Sequence, residues 1–167
     1  MGHSISDFID NFGGGSRQNR FTVSGRVLSN ATYHVRAATF PASTLGVINV
    51  NYRGRTVPYP GERVYAPWVI TILDDSDKAN AIFEAFHTWS NRINNHESNL
   101  SSVWPDTDDS LVVSQLAANS ENITRSCKLQ NAFPQSIGEL QYDMSQDNTL
   151  LTFNVTIGYS HYSPITT

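Results

Sequence analysis

Apolar and polar residues alternate at every second position through much of this chain, which narrows the fold more than any other feature. From Leu150 to Tyr162, Leu151, Phe153, Val155, Ile157 and Tyr159 interleave with Thr152, Asn154, Thr156 and Gly158. Successive side chains of a strand point to opposite faces, so this spacing gives one face for a core and one for water. Asp147-Asn148 supplies a turn before it, and Ile137 to Met144 is a candidate pairing partner. Arg63 to Leu73 reads as one long strand, with Val64, Ala66, Trp68, Ile70 and Ile72 on one face and Tyr65, Val69 and Leu73 on the other. That double apolar pattern suits a strand covered on both sides. Phe21 and Val23 alternate with Thr22 and Ser24, and Gly25 marks a bulge before Val27 and Leu28. Further strands are expected over Tyr33 to Phe40, Val47 to Tyr52, Leu111 to Leu116 and Ile123 to Phe133. Arg53-Gly54-Arg55 is a turn signal, and Pro58, Pro60 and Gly61 make Val57 to Gly61 an extended loop or a sheet edge.

One segment breaks the period. Ala79, Ile82, Phe83, Phe86, Trp89 and Ile93 recur at spacings of three and four, which predicts a helix over about 76–94 with one apolar stripe. Asp74 or Ser76 can cap its start, and Asn94-Asn95 closes it. His96 to Ser110 is polar and reads as a surface loop. At the front, residues 1–19 read as an arm: a short amphipathic piece with Ile5, Phe8, Ile9 and Phe12, then the hinge Gly13-Gly14-Gly15. The remainder, 20–167, is expected to form a single domain. About seven strands and one helix, without βαβ alternation or internal repeats, make a mainly β (α+β) chain. The expected architecture is two packed antiparallel sheets, a sandwich or barrel, with one flanking helix.

A chain of 167 residues buries roughly 70% of its extended surface and holds a core without covalent staples. Cys127 is the only cysteine, so no internal disulfide or thiolate cluster forms within one chain. No apolar run approaches the ~20 residues of a membrane span, and the first residues do not read as a secretory leader. The expectation is a soluble protein folded in a reducing compartment, without membrane anchoring. Charged residues make up only 16% of the chain, which hints that much of its surface is covered by something other than water. The net charge of −4 is split unevenly: +4 up to Pro60, where six arginines face two aspartates, and −8 from Gly61 onward. A basic front and an acidic rear suit head-to-tail self-association; two solvated charge sets are the plainer reading. Neither half has the dense basic clustering of a nucleic-acid binder.

Catalytic and ligand motifs are sparse. His3, His34, His87, His96 and His161 form no metal-binding pair, and the acidic groups at Asp74–Asp77 and Asp106–Asp109 read as a helix start and a solvated loop. The glycine triplet lacks the following Lys-Ser/Thr of a phosphate loop. Cys127 sits between Ser126 and Lys128 with no cue for an activating base. The Met1-Gly2 start and the sequons at Asn30, Asn99, Asn122 and Asn154 arise readily by chance in a chain rich in Asn, Ser and Thr. No enzyme, cofactor or metal emerges.

Several segments, taken in order, resemble the tail tube protein of contractile-tailed, T4-like bacteriophages. They are Phe12 to Phe21, Arg36 to Ser43, the Tyr52-Arg53-Gly54-Arg55 turn, Gly61-Glu62-Arg63, and Trp68 to Asp75. Phe86, Trp89, Ile93 and Asn94 suit the family helix, and Ala132 to Asp143, Asn148 and Thr152 to Tyr162 close the match. The loop from His96 to Asp109 stays unmatched. Gln18 stands where the family commonly has Pro, Glu62 replaces a more usual Asp while keeping the capacity to pair with an arginine, and the residues after Tyr162 fit no family feature.

The resemblance implies a virion structural protein without catalysis or cofactor. Its subunits form hexameric rings that stack into a hollow tube inside a sheath, bound to baseplate and tube-initiator proteins. Tape measure protein and DNA occupy the lumen, and the subunit is made in the host bacterial cytoplasm. A tube subunit of a type VI secretion or other contractile injection system is the alternative. On this reading Ser43 to Arg63 and the arm make contacts between subunits and rings, with Arg17, Arg20, Arg53, Arg55, Glu62 and Arg63 as the contact residues. A basic lumen would retain DNA through counterion release. The polar face of the last strand therefore suits a wet wall, whichever way it faces. A ligand-binding barrel is the rival of a different class and predicts a monomer with a closed pocket.

Overall fold

The computed structural model describes residues 4–12, 15–28, 32–74, 79–101 and 111–165. Among them are ten strands: β1 (Phe21–Ser24), β2 (Val35–Ala38), β3 (Ser43–Tyr52), β4 (Arg55–Tyr65), β5 (Trp68–Leu73), β6 (Val112–Leu116), β7 (Ile123–Gln130), β8 (Phe133–Ile137), β9 (Thr152–Gly158) and β10 (His161–Ile165). Two α-helices, α1 (Ile5–Asn11) and α2 (Ala79–Ile93), and a 3-10 turn at Thr32–His34 complete the described elements.

The strands form two four-stranded sheets, ordered β1-β6-β7-β10 and β2-β5-β9-β8, and a separate β3-β4 ribbon. Every pairing is antiparallel. The expected period-two faces are realised where the sheets meet. Trp68, Ile70 and Ile72 of β5 lie beside Phe153, Val155 and Ile157 of β9, all buried, in register Trp68↔Ile157, Ile70↔Val155 and Ile72↔Phe153. Val23, Val113, Cys127 and Leu129 supply the opposing face. Each side chain buried this fully stabilises the fold by roughly 1.5–3 kcal/mol. Trp68 satisfies its buried indole N–H by donating to the carbonyl of Thr39.

Helix α2 lays the predicted stripe on this core. Ile82, Phe86 and Trp89 are buried, and Phe83 meets Phe153 edge to face at 5.3 Å. The expected cap at Ser76 lies outside the described residues, as do Gly13-Gly14 of the hinge and most of the His96 to Ser110 loop. The closing pair is in place: Asn94 N–H donates to Ser90 O, and Asn95 Oδ1 accepts from Glu97 and Ser98 N–H.

Three expected strands are each two. Arg63 to Leu73 breaks at Ala66-Pro67 into the end of β4 and the start of β5, which belong to different sheets. Proline has no N–H to donate to a ladder, and pairing stops there; Val64 lies in the ribbon, paired with Thr44, and projects into solvent rather than joining Trp68 in the core. Ile123 to Phe133 turns at Asn131, whose φ of 54° ends β7 and starts β8. Leu150 to Tyr162 turns at Tyr159-Ser160, so β10 crosses to the other sheet, where Tyr162 pairs with Leu129. Continuous apolar alternation hid all three corners, because apolar residues resume the same period on either side of turns whose own residues, Pro67, Asn131 and Ser160, are exposed. Gly25 begins a turn closed by Leu28 N–H to Gly25 O rather than a bulge. The expected Ile137 to Met144 pairing is confined to β8 and one further bond from Gly138 N–H to Asn154 O. The arm contains a second helix, α1, beside the one expected.

Candidate assembly surface

Strands β3 and β4 form a ribbon of ten and eleven residues that is exposed along most of its length on both faces. Arg53 and Gly54 close it with positive φ at both central positions, 46° and 77°. That is a type I′ turn, whose twist matches two antiparallel strands. The Arg53 guanidinium lies 5.4 Å from the Tyr52 ring centre, a cation–π contact that directs the charge along the tip. Leu45 pairs with Arg63 and Val47 with Pro60, so Gly46 faces two residues, Gly61 and Glu62, in a bulge. The backbones approach closely there: a Cβ on Gly46 would stand 3.1 Å from Glu62 O. Leu45, Val47, Ile48, Val50, Tyr52, Val57, Tyr59 and Val64 all expose their side chains. Isolated two-stranded ribbons are marginal in water, and a contiguous apolar surface of this kind marks an interaction site.

The two edges of the ribbon are unequal. A two-residue turn makes Tyr52↔Arg55 a hydrogen-bonded pair, so Asn49↔Pro58 and Val47↔Pro60 fall at the alternate, non-bonded positions. Each proline nitrogen therefore faces the outer edge of β4, where an added strand would require an N–H. The outer edge of β3 keeps the N–H and C=O groups of Val47, Asn49 and Asn51. One edge can accept a strand and the other is blunted.

Helix α1 is a second unpartnered apolar element. Ser4 and Asp7 cap it reciprocally: Asp7 N–H donates to Ser4 Oγ at 3.2 Å and Ser4 N–H donates to Asp7 Oδ2 at 3.0 Å. The Ser4 backbone bond, aided by the Ser4 side chain, holds the Asp7 carboxyl below the usual carboxylate range. No residue of α1 is buried, and Ile5, Phe8, Ile9 and Phe12 all face solvent.

The six expected contact residues separate into two places. Arg53, Arg55, Glu62 and Arg63 lie on the ribbon, but Arg63 is tied to its base, donating to Ser43 Oγ at 2.9 Å. Eight residues at ~3.4 Å each set Arg63 roughly 27 Å from Arg55, too far for one small contact. Among the described residues Glu62 meets no arginine of its own chain. Arg17 and Arg20 sit elsewhere, with Arg36 and Arg125, around a groove of about 550 Å³ beside β1 and β2. Arg36 and Arg125 were not legible as contact residues. Nearly ninety positions separate them in the sequence, and only the sandwich brings their strands to one mouth.

The Cys127 thiol is buried and pushed up to about 11 by desolvation, which suppresses the nucleophilic thiolate. Among the described residues no three His, Cys, Asp or Glu side chains gather at one point.

The profile of the phage tail tube protein family matches residues 17–164. The chain belongs to that family. It is 34% identical over 119 residues to the tail tube protein of Serratia phage KSP90, covering 71% of this chain and 66% of that one, just under two thirds of its length. It is 26% identical over 149 residues to tail tube protein gp19 of Enterobacteria phage T4, covering 88% of this chain and 90% of that one. The fold is also that of chains in two solved assemblies. One is the tube-terminating cap of the anti-feeding prophage, with a TM-score of 0.69 at 18% identity over 92% of each chain. The other is the sheath-tube complex of the extracellular contractile injection system PVC, with a TM-score of 0.65 at 15% identity over 99% and 100%. The sandwich with its flanking helix is thus the architecture of contractile-device tube proteins.

Proposed function

We propose that this protein is the repeating subunit of the inner tube of a contractile phage tail. Copies close into hexameric rings, the rings stack into a conduit inside the sheath, and the genome leaves through the lumen. Residues 1–19 act as an arm and 20–167 as the tube domain. The subunit is made in the host bacterial cytoplasm and resides in the virion tail, where its role is mechanical rather than catalytic. Sheath, baseplate and tube-initiator proteins are its partners outside the lumen, and tape measure protein and DNA its contents.

The observation that carries this reading is the β3-β4 ribbon. A family member with two long strands, apolar on both faces, outside its own core needs other copies to cover them. Ribbon and arm contact the neighbouring ring, with Arg53, Arg55 and Glu62 at that boundary. Electron microscopy of the purified chain at high concentration, with and without its initiating complex, tests the proposal. Stacked annuli are expected, and a persistent lone globule under both conditions overturns it. Likeness to injection-system chains over almost the full length favours one second reading, a tube subunit of a type VI secretion or other contractile injection system. The neighbouring genes, phage capsid or secretion apparatus, separate the two.

A further inference from the structure

The arginine groove beside β1 and β2 lies off the ribbon. Arg17, Arg20, Arg36 and Arg125 ring it, and Phe21 and Val113 are among the apolar side chains that line it. Among the described residues no carboxylate lines the groove and none of these guanidinium groups has an ion-pair partner. Four like charges around one cleft repel one another, and an anionic occupant relieves that repulsion.

The same chain carries a matching surface. The Glu139 to Leu150 segment, which joins β8 to β9, presents Glu139, Asp143 and Asp147 with no basic residue in it. Tyr142 and Met144 project from it almost fully exposed. Asp143 Oδ1 accepts from Ser145 N–H at 2.9 Å and Ser145 Oγ at 2.6 Å, which shapes the turn in advance of any contact. Acid plus exposed aromatic and thioether is the complement of arginine around an apolar floor. Topology keeps the two surfaces apart within one subunit. The groove borders β2, one outer strand of the β2-β5-β9-β8 sheet, and the acidic segment leaves β8, the other outer strand. Three strand spacings of ~4.8 Å separate these edges.

We propose that the arginine groove receives the Glu139–Asp147 segment of a second copy, and that this head-to-tail contact closes the ring laterally. A contact between unlike patches at opposite edges repeats from subunit to subunit and closes wherever the rotation allows. The inference rests on the self-assembling tube reading and assigns that reading its lateral interface. It leaves the ribbon and the arm residues before Arg17 for stacking.

Charge reversal tests it, since all the residues changed are exposed. Arg36→Glu with Arg125→Glu, and separately Glu139→Lys with Asp143→Lys, should each keep the circular dichroism spectrum and Tm of the parent. Each should also raise the concentration needed for rings by roughly tenfold or more. One chain carrying all four changes restores complementarity and should form rings again. If parent and reversed variants form rings equally, the proposal is overturned and the tube reading stands. Failure of the four-fold variant, with its fold intact, also overturns the pairing. If the parent never assembles under any condition, both readings fail together. A labelled duplex oligonucleotide covers the other polyanion. Binding that disappears in the groove variant, while its rings form normally, assigns the groove to nucleic acid and overturns the proposal. As a second readout, Arg36→Cys with Asp143→Cys in one Cys127→Ala chain should give a ladder of covalent oligomers on mild oxidation. The ~14 Å between the sheet edges exceeds disulfide reach within a subunit. Monomer alone, from chains in preformed rings, counts against the contact.

Discussion

Phe86 shows what a single side chain contributes here. It is fully buried in α2 and packs beside Trp89, ring centres 6.1 Å apart. Truncating it to alanine removes that surface and leaves a cavity, so Phe86→Ala should cost about 3–5 kcal/mol. The thermal midpoint should fall by roughly 10 °C, read by calorimetry. Cys127 makes a pH prediction. Burial raises the thiol from 9.0 to about 11, so the folded state holds its proton more tightly than the unfolded state. The stability this contributes is complete below pH 9 and is lost as pH rises to about 11. Denaturant titrations across that window should show a steeper decline for the parent than for Cys127→Ala. Tyr159, also raised by burial, leaves some decline in both. Gly54 is the third case: φ of 77° at the ribbon tip strains any residue bearing a Cβ.

The ribbon and α1 differ from the sandwich because the single chain leaves them exposed, and the proposed assembly would cover them. No residue of α1 is buried, so a chain lacking residues 1–12 should unfold within ~2 °C of the parent yet fail to stack rings. An unchanged tube in the electron microscope would remove the arm from the interface. Pro58 and Pro60 have a protective part in β4. Replacing both with threonine supplies N–H donors to the outer edge, so the variant should form light-scattering aggregates at concentrations where the parent stays dispersed. The double variant Arg53→Glu with Arg55→Glu belongs to the same element. It should leave the sandwich folded and impair stacking, and normal long tubes from it would sink the ribbon's assigned role.

For the molecule as a whole, the charge divides into a +4 front and a −8 rear, and the proposed lateral contact would be sensitive to salt. Raising ionic strength from 0.1 to 1 M shortens the screening length from ~10 to ~3 Å. Assembly driven partly by the arginine groove and the acidic segment should therefore slow and need more protein at high salt. Light scattering against time, at several salt concentrations, measures this. A rate that rises with salt would assign assembly to apolar burial on the ribbon and arm alone.

Local spacing alone disclosed the helix stripe, much of the core and the strand segments, but not where three of those segments divide. Trp68, Ile70, Ile72, Phe153, Val155 and Ile157 declare their shared burial through period-two spacing, and Ile82, Phe86 and Trp89 through spacings of three and four. Those periods are local consequences of backbone geometry, so they survive without any knowledge of neighbours. Ordered motifs carried the family for the same reason, since they need no contact between distant residues. The corners at Pro67, Asn131 and Tyr159-Ser160 were decided only in three dimensions. There the chain changes sheet through a short exposed turn between two apolar runs, and alternation does not register which sheet a strand joins. The groove of Arg17, Arg20, Arg36 and Arg125 is likewise tertiary. Charge placed on a strand or loop carries no record of which other strand edge will lie against it.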